Sequence, residues 1–230
     1  MSAEAAKRPV GRPRADGRNP VSKEDILRTA SLLFAQHGYA GTSVRMIADD
    51  LKIHPASIFH HFPAKEMIVQ DLIETVITGT FDVYREILSI GLSPSAALYE
   101  TIWLDSYLTR TNAQELACVF YIPELRSGAI KTERNLEEMI LDHYSSLIAA
   151  GMESGEFISV HSRTVADAIY STCASMVVHS PEAQAPTEIQ ATDIATVFLR
   201  GLLDDPARLP EIQREASRFN LSPAKIKILG

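Results

Sequence analysis

Residues 42–66 read TSVRMIADDLKIHPASIFHHFPAKE. The first part of this stretch carries apolar residues at i, i+3, i+4 and i+7, which is the spacing of one buried helix face. These residues are Val44, Ile47, Ala48 and Leu51. The segment 51–53 is too short for the chain to return antiparallel, and Pro55 suits a first helical turn because its missing N–H costs nothing there. The sequence therefore predicts two short helices joined by a tight turn.

The second of these helices has a small, polar and aromatic outer face. If Ile58 points into the core, a rotation of 100° per residue turns Ala56 and His60 outward. Ser57 and Phe59 then lie on the flanks of that outer face. An α-helix fits the major groove of B-DNA, where exposed side chains reach base edges and thymine methyl groups. The arrangement is that of a helix-turn-helix that reads DNA.

The same region resembles the N-terminal signature of the tetracycline-repressor (TetR) family. That signature runs from an LF-x-x-x-G-[YF] helix end through T-[TS]-V-x-x-IA to a [LI]-[YF]-x-H-F-x-x-KE close. The matching residues are Leu33, Phe34, Gly38, Tyr39, Thr42, Ser43, Val44, Ile47, Ala48, Ile58, Phe59, His61, Phe62, Lys65 and Glu66. The resemblance implies an all-α protein with an N-terminal three-helix DNA-binding domain and a C-terminal helical domain for ligand binding and dimerisation.

We expect DNA contacts from the N-terminal arm, the helix-turn-helix and the start of the following helix. The expected residues are Arg12, Arg14, Thr42, Ser43, Arg45, His54, Pro55, Ala56, Ser57, Phe59, His60, His61 and Lys65. Four positions depart from the family's pattern: Lys52 replaces a turn glycine, His54 a Ser/Thr cap, Phe59 a tyrosine and Ala64 a capping serine. A lysine in that turn must avoid a positive φ or be strained into it. Histidine is also a weaker side-chain cap than serine or threonine.

The charge of the chain is unevenly distributed. The net charge is −7, yet residues 1–66 hold ten Lys/Arg against seven Asp/Glu, so the acidic excess lies entirely in the remainder. Phosphate binding depends on locally placed cations and the counterions they release, so an acidic C-terminal part does not forbid it. Basic charge is concentrated at the end that is predicted to face DNA.

Residues 1–20 show no helical periodicity and contain Gly-Arg-Pro-Arg at positions 11–14. We interpret them as a flexible basic arm. Such an arm can lie in the narrow minor groove of A/T-rich DNA, or it can simply be a solubilising tail, and both interpretations remain open. Ser22 then caps a helix that ends at Gly38.

The rest of the chain is helical in pattern, with no alternating strand-like segments. Helices are predicted over 65–89, 94–109, 113–125, 130–154, 162–179 and 186–203. The predicted domains are the arm (1–20), the helix-turn-helix domain (21–66), a ligand-binding and dimerisation domain (67–205) and a C-terminal tail (206–230). The last two predicted helices are apolar on more than one side, which fits a four-helix interface between two copies or simply the closure of one copy's own core.

A ligand cavity in the middle of the chain is implied by the resemblance. Its expected lining is Trp103, Tyr107, Phe120, Tyr121, His143, Tyr144 and Met176, because ligand sites are apolar with few polar anchors; the same residues would serve equally well as core. The predicted partners are a double-stranded DNA operator, a second copy of the chain and an unknown small-molecule effector.

Other functions are less well supported by the residues. His54, His60 and His61 invite a metal-sensing or enzymatic interpretation, but neighbouring helical residues diverge by 100°. No catalytic motif occurs, and we expect no cofactor, no metal and no enzymatic activity. A ligand-independent architectural role on DNA remains an alternative. No apolar run approaches a membrane span, and two cysteines without a C-x-x-C pair fit a reducing compartment, so the sequence predicts a cytoplasmic protein.

Overall fold

The computed structural model describes residues 21–112, 135–178 and 187–219, together with residues 116, 122, 124, 127, 128, 130 and 132. Within these residues the fold is all-α, as predicted, and extended pairing is limited to one isolated bridge between Phe157 and Leu203. None of the described helices is both long and apolar enough to cross a bilayer. Arg12, Arg14, Phe120, Tyr121 and most of the helix predicted over 113–125 lie outside the described residues.

Three helices form the N-terminal module: α1 (Lys23–Gly41), α2 (Val44–Asp50) and α3 (Pro55–His61). A capping box starts α1, because the Ser22 hydroxyl accepts from the N–H of Asp25 while the Asp25 carboxylate accepts from the N–H of Ser22, both at 3.1 Å. Gly38 interrupts α1 with a φ of 71°, three residues before the last helical residue. The cap and the glycine punctuation predicted from sequence are both present.

Helix α4 (Lys65–Ser89) is the element shared by the two parts of the molecule. It packs against α1 of the N-terminal module and against α5 (Pro94–Thr111) of the C-terminal module. Near its middle stands Gly79, beside which a Cβ atom would meet nothing within 4 Å. No packing contact therefore requires a glycine at this position.

Helix α5 is the centre of the C-terminal module. It contacts α4, α6 (Leu136–Glu153), α7 (Ser162–Val178), α8 (Thr187–Leu202) and α9 (Leu209–Ala216). Because neighbours surround it, twelve of its residues are buried, including polar ones. Helix α6 starts later than predicted, since Asn135 caps it by accepting from the N–H of Glu138.

The predicted C-terminal tail is wrong for residues 206–219, which fold onto the module. A 3-10 turn at Pro206–Arg208 leads into α9, whose apolar face buries Ile212 and Ala216. The Glu215 carboxylate then accepts from the N–H and the hydroxyl of Ser93 at 2.7 and 2.8 Å, at the start of α5. An eight-residue helix offers too short a periodic pattern to stand out in the sequence.

Candidate DNA-binding surface and ligand cavity

Helix α3 presents the outer face that its periodicity predicts. Ile58 is fully buried and Phe62, just after the helix, is 2% exposed, so these two side chains anchor α3 to the core. On the flank of the outer face, Phe59 is 49% exposed. Ala56, His60 and His61 are also exposed, while Ser57 is half-buried. The predicted phase of the helix is confirmed, and the predicted DNA contacts of this face stay predictions.

The turn before α3 is built from two of the unusual residues. Lys52 adopts a φ of 56°, the left-handed conformation that glycine tolerates best. The sequence left open whether Lys52 avoids a positive φ or is strained into it, and in the structure Lys52 adopts the strained conformation. His54 caps α3, because its Nδ1 accepts from the N–H of Ala56 at 3.2 Å and Pro55 occupies the first turn. Both residues keep α3 projecting from the module despite the departures from the family's pattern.

The side chains at the start of α2 divide between surface and core. Ser43 is exposed and caps α2 by accepting from the N–H of Met46 at 3.2 Å. The Arg45 side chain is 84% exposed and lies 3.8 Å from the Asp49 carboxylate. Thr42 is different, because its hydroxyl is buried and donates to the carbonyls of Leu33 and Gly38. The Thr42 side chain is therefore turned into the module, and the predicted DNA contact of this residue stays a prediction.

Lys65 is held inside the N-terminal module. Its ammonium donates to the carbonyl oxygens of Tyr39 at 2.7 Å and Thr42 at 2.9 Å, and it lies 4.0 Å from the centroid of the Tyr39 ring. Two of its three donors are therefore used to tie the start of α4 to the α1–α2 junction. The ammonium of Lys65 thus has a structural role, and its predicted DNA contact stays a prediction.

Histidines 60 and 61 do not converge on a common point. Their ring centroids are 5.7 Å apart and the rings are inclined by 78°. Among the described residues, no group of three His, Cys, Asp or Glu side chains has the geometry to hold a metal ion.

A cavity that is partly open to solvent lies between four helices of the C-terminal module. Each helix contributes one face: α4 gives Val76 and Thr80; α5 gives Asp105, Leu108 and Thr109; α6 gives Leu136, Ile140 and Tyr144; α7 gives Tyr170, Cys173 and Ala174; Leu116 completes the wall. The lining is mostly apolar with a few polar groups, which is the usual composition of a small-molecule site.

One ionisable carboxylate is exposed to this cavity. Oδ2 of Asp105 accepts hydrogen bonds from the phenols of Tyr84 at 2.5 Å and Tyr144 at 2.6 Å. Burial raises the pKa of Asp105 to about 6, and the two phenols act in the opposite direction. The pKa of the Cys173 thiol is raised to about 12, mainly by burial, so this cysteine is a neutral thiol rather than a reactive thiolate.

The residues predicted to bind ligand are dispersed. Of those that the structure describes, only Tyr144 lines the cavity. His143 stacks on Tyr84 with ring centroids 4.0 Å apart, and burial lowers the pKa of His143 to about 4. Trp103 stacks on Tyr107, and its indole N–H donates to the Thr192 hydroxyl of α8 at 3.1 Å. Trp103 thus contacts α8, and Tyr107 packs on Trp103.

Met176 is buried without lining the cavity. The sequence did not single out Asp105, which lines the cavity, or Tyr84, its hydrogen-bond partner. An acidic residue flanked by apolar helix positions was the available signal for Asp105, whereas Tyr84 is indistinguishable from core in the sequence.

Comparisons with known proteins agree with this architecture. The family model described as bacterial regulatory proteins, tetR family, matches residues 26–72. The transcriptional repressor KstR2 of Rhodococcus jostii RHA1 is 31% identical over 142 residues, which cover 60% of this chain and 68% of that protein.

Solved structures extend the similarity to the whole fold. The ketosteroid transcriptional regulator KstR2 of Mycobacterium tuberculosis superposes with a TM-score of 0.70 at 21% identity, covering 84% of this chain and 100% of that one. AibR, solved in complex with isovaleryl coenzyme A and operator DNA, superposes with a TM-score of 0.63 at 18% identity, covering 79% and 97% of the two chains. At these identities the structures establish the fold alone.

Proposed function

Because this chain belongs to the TetR family of bacterial regulatory proteins, we propose that it is a transcriptional repressor controlled by a small molecule. It binds a palindromic DNA operator as a homodimer, and an effector in the cavity between α4, α5, α6 and α7 releases it. The name of the Rhodococcus relative, a transcriptional repressor, supports repression as the outcome.

The observation that carries this proposal is the outer face of α3. Ile58 and Phe62 fix the helix on the core, while Ala56, Phe59 and His60 project from it. A helix held in this way can enter the major groove and present its first residues to base edges. Exposed Ser43 and Arg45 at the start of α2 are positioned to meet the phosphate backbone beside it.

A dimer is supported by the exposed apolar side chains of α8. Ile189 is 52% exposed and Val197 is 70% exposed, two turns apart on the same side of the helix. Small residues face outward on α7, including Ala168 and Ser171. Such faces allow close packing of helices from two copies, and two recognition helices would then bind two half-sites one helical turn of DNA apart.

Control by a ligand is supported by the course of α4. This helix starts at Lys65, which is tied to the α1–α2 junction, and it lines the cavity with Val76 and Thr80. A ligand that prefers one position of α4 lowers operator affinity by its coupling free energy, typically about 1–3 kcal/mol. AibR, which was crystallised with both an acyl coenzyme A and DNA, is a precedent for such control in this fold.

Selection of bound duplexes from a random pool tests the proposal. Full-length protein is expected to enrich one palindrome with two half-sites, and Val197→Asp, which places a charge in the α8 surface, is expected to give monomers and single half-sites. Arg85→Ala, a change on the exposed side of α4, serves as the matched control. If no duplex is enriched even at low ionic strength, the proposed function is wrong.

A further inference from the structure

Two phenols converge on Asp105 at the wall of the cavity. Helix α5 contributes Asp105, Leu108 and Thr109 to the cavity wall. Their spacing of i, i+3 and i+4 places the three side chains on one face of the helix. Tyr84, one turn beyond Thr80 on α4, and Tyr144 on α6 reach the same carboxylate. Three helices are therefore joined at one buried acidic group.

The hydrogen bonds of this carboxylate are asymmetric. Both phenols donate to Oδ2, and none of the described residues donates to Oδ1. A carboxylate has room for about four hydrogen bonds, two on each oxygen. Acceptor capacity is thus unused on a group whose residue lines the cavity.

Among the described residues of the cavity wall, none supplies a cation to this carboxylate. The described residues that line the cavity include no lysine, arginine or histidine. His143 lies behind Tyr84, and its lowered pKa of about 4 keeps it neutral at physiological pH. Burying a carboxylate without a cation is unfavourable, so a ligand that supplies positive charge or hydrogen-bond donors gains binding free energy here. An anionic group placed here would be repelled.

We propose that the effector is a largely apolar molecule that carries a hydrogen-bond donor, an ammonium or hydroxyl group, and that Asp105 binds this donor in the cavity. This inference rests on the proposed function, since it names the chemistry of the ligand for the same cavity. The donor binds at Oδ1, beside the two phenols, while the apolar body contacts Leu108, Ile140 and Val76. An ammonium gains more than a hydroxyl, because it adds the Coulomb attraction of opposite charges to the hydrogen bond with the carboxylate.

Binding at Asp105 also reaches α4 directly. A donor that draws the carboxylate toward itself competes with the phenol of Tyr84 for the same group. Tyr84 is part of α4, so weakening its bond loosens the contact that fixes α4 against α5. The ligand chemistry and the transmitted movement thus depend on one hydrogen-bonded pair.

Three probes with one skeleton test the inference: 4-phenylbutylamine, 4-phenylbutan-1-ol and 4-phenylbutyrate. Their affinities for the full-length protein are measured by isothermal titration calorimetry, together with those of Asp105→Asn. The amine and the alcohol are expected to bind, with the carboxylate roughly tenfold weaker than the amine or worse. Asp105→Asn should weaken the amine by about tenfold and the alcohol less, because the amide oxygen still accepts a hydrogen bond. Asp204→Asn, an exposed position outside the cavity, removes the same charge and should change nothing.

The outcomes separate this inference from the proposed function. If 4-phenylbutyrate binds as tightly as the amine, or if Asp105→Asn binds all three probes like the wild type, the proposal that Asp105 binds a hydrogen-bond donor is wrong. Ligand binding by the cavity is not contradicted by either result. If none of the probes binds at millimolar concentration, the proposal that Asp105 binds a hydrogen-bond donor is also wrong. The preference of the wild-type protein among the probes does not depend on whether the variant folds, and operator selection without effector tests DNA recognition independently.

Discussion

Tyr84 and Asp105 are joined by a 2.5 Å hydrogen bond from the phenol of α4 to Oδ2 of the α5 carboxylate. Tyr84 lies nineteen residues after Lys65 on the same helix, which at 1.5 Å per residue is about 28 Å along its axis. The bond therefore ties the cavity to a helix whose other end holds the α1–α2 junction.

Removing the Tyr84 hydroxyl should destabilise the protein. Tyr84→Phe leaves the buried Asp105 carboxylate with one donor instead of two, and we expect the free energy of unfolding to fall by about 1–3 kcal/mol in urea titrations. Tyr107→Phe is the matched control on α5, with an expected change within about 0.5 kcal/mol. Equal effects from the two changes would mean that the Asp105 bond contributes nothing specific.

Lys65 should matter for the stability of the N-terminal module. Lys65→Met keeps most of the aliphatic stem but removes the ammonium from the carbonyls of Tyr39 and Thr42, so we expect a loss of about 1–3 kcal/mol in the free energy of unfolding. Operator affinity should fall as a consequence. If the variant unfolds like the wild type and only the salt dependence of DNA binding drops, by a slope of about 1, then Lys65 is a phosphate ligand instead.

The exposed face of α3 should set base preference. His60→Ala is expected to change the selected half-site at one or two positions, with a cost of about 1–3 kcal/mol on the original operator. His161→Ala, in the C-terminal module, should leave the selected sequence unchanged. An unaltered half-site with His60→Ala would show that this side chain does not contact the bases.

Glu100 should make the protein less stable as pH rises. Burial raises its pKa from 4.5 to about 7, so the folded state holds an extra proton between these values, and the corresponding stability is lost as pH increases through that window. Glu100→Gln should therefore be more stable than the wild type at pH 8, by at most about 3 kcal/mol. The difference should vanish toward pH 4.5, and urea titrations across this range measure it.

His143 acts with the opposite sign. Burial lowers its pKa from 6.5 to about 4, so its contribution to stability is complete above pH 6.5 and is lost as pH falls toward 4. In the wild type the two dependences partly offset each other. Glu100→Gln removes one of the carboxyl groups that oppose His143, and Asp105 remains as the other. The stability of Glu100→Gln relative to the wild type should therefore fall on acidification from pH 7 to pH 6, and parallel profiles of the two proteins would contradict this assignment.

Lys52→Gly should stabilise the turn between α2 and α3. A φ of 56° strains a lysine but not a glycine, and the net gain is expected to be about 0.5–1 kcal/mol after the greater unfolded-state entropy of glycine is counted. Lys52→Ala removes the same charge while keeping Cβ and should give no gain. Thermal unfolding of both variants separates backbone strain from charge.

The sequence predicted the parts of the fold that depend on local periodicity. Ile58 and Phe62 are buried, and Ser22 and Gly38 punctuate α1, because each follows from residues a few positions away. The burial of the Thr42 side chain could not be predicted in this way. Its hydroxyl donates to the carbonyls of Leu33 and Gly38 across a bend in the chain. The spacing of apolar residues does not predict the geometry of that bend.

The cavity was harder to predict, because its wall is assembled from four helices distant in sequence. Aromatic residues such as Trp103 and Tyr107 looked equally suited to a cavity or to a core, and packing against α8 separated them from the cavity. Asp105 was overlooked because one acidic residue in a helix is ordinary. Only its burial against Tyr84 and Tyr144 makes it distinctive.

Gly79 lowers the local helix stability of α4. A glycine inside a helix forgoes about 1 kcal/mol relative to alanine, and here no neighbouring atom would obstruct the extra methyl group. The helix is therefore most compliant next to Thr80, where it borders the cavity, and stiffer over the turns that run back to Lys65. Bending at Gly79 would cost little free energy. The segment of α4 toward Lys65 would then rotate as a rigid body, so that a small displacement near Gly79 becomes a larger one at the DNA-binding module.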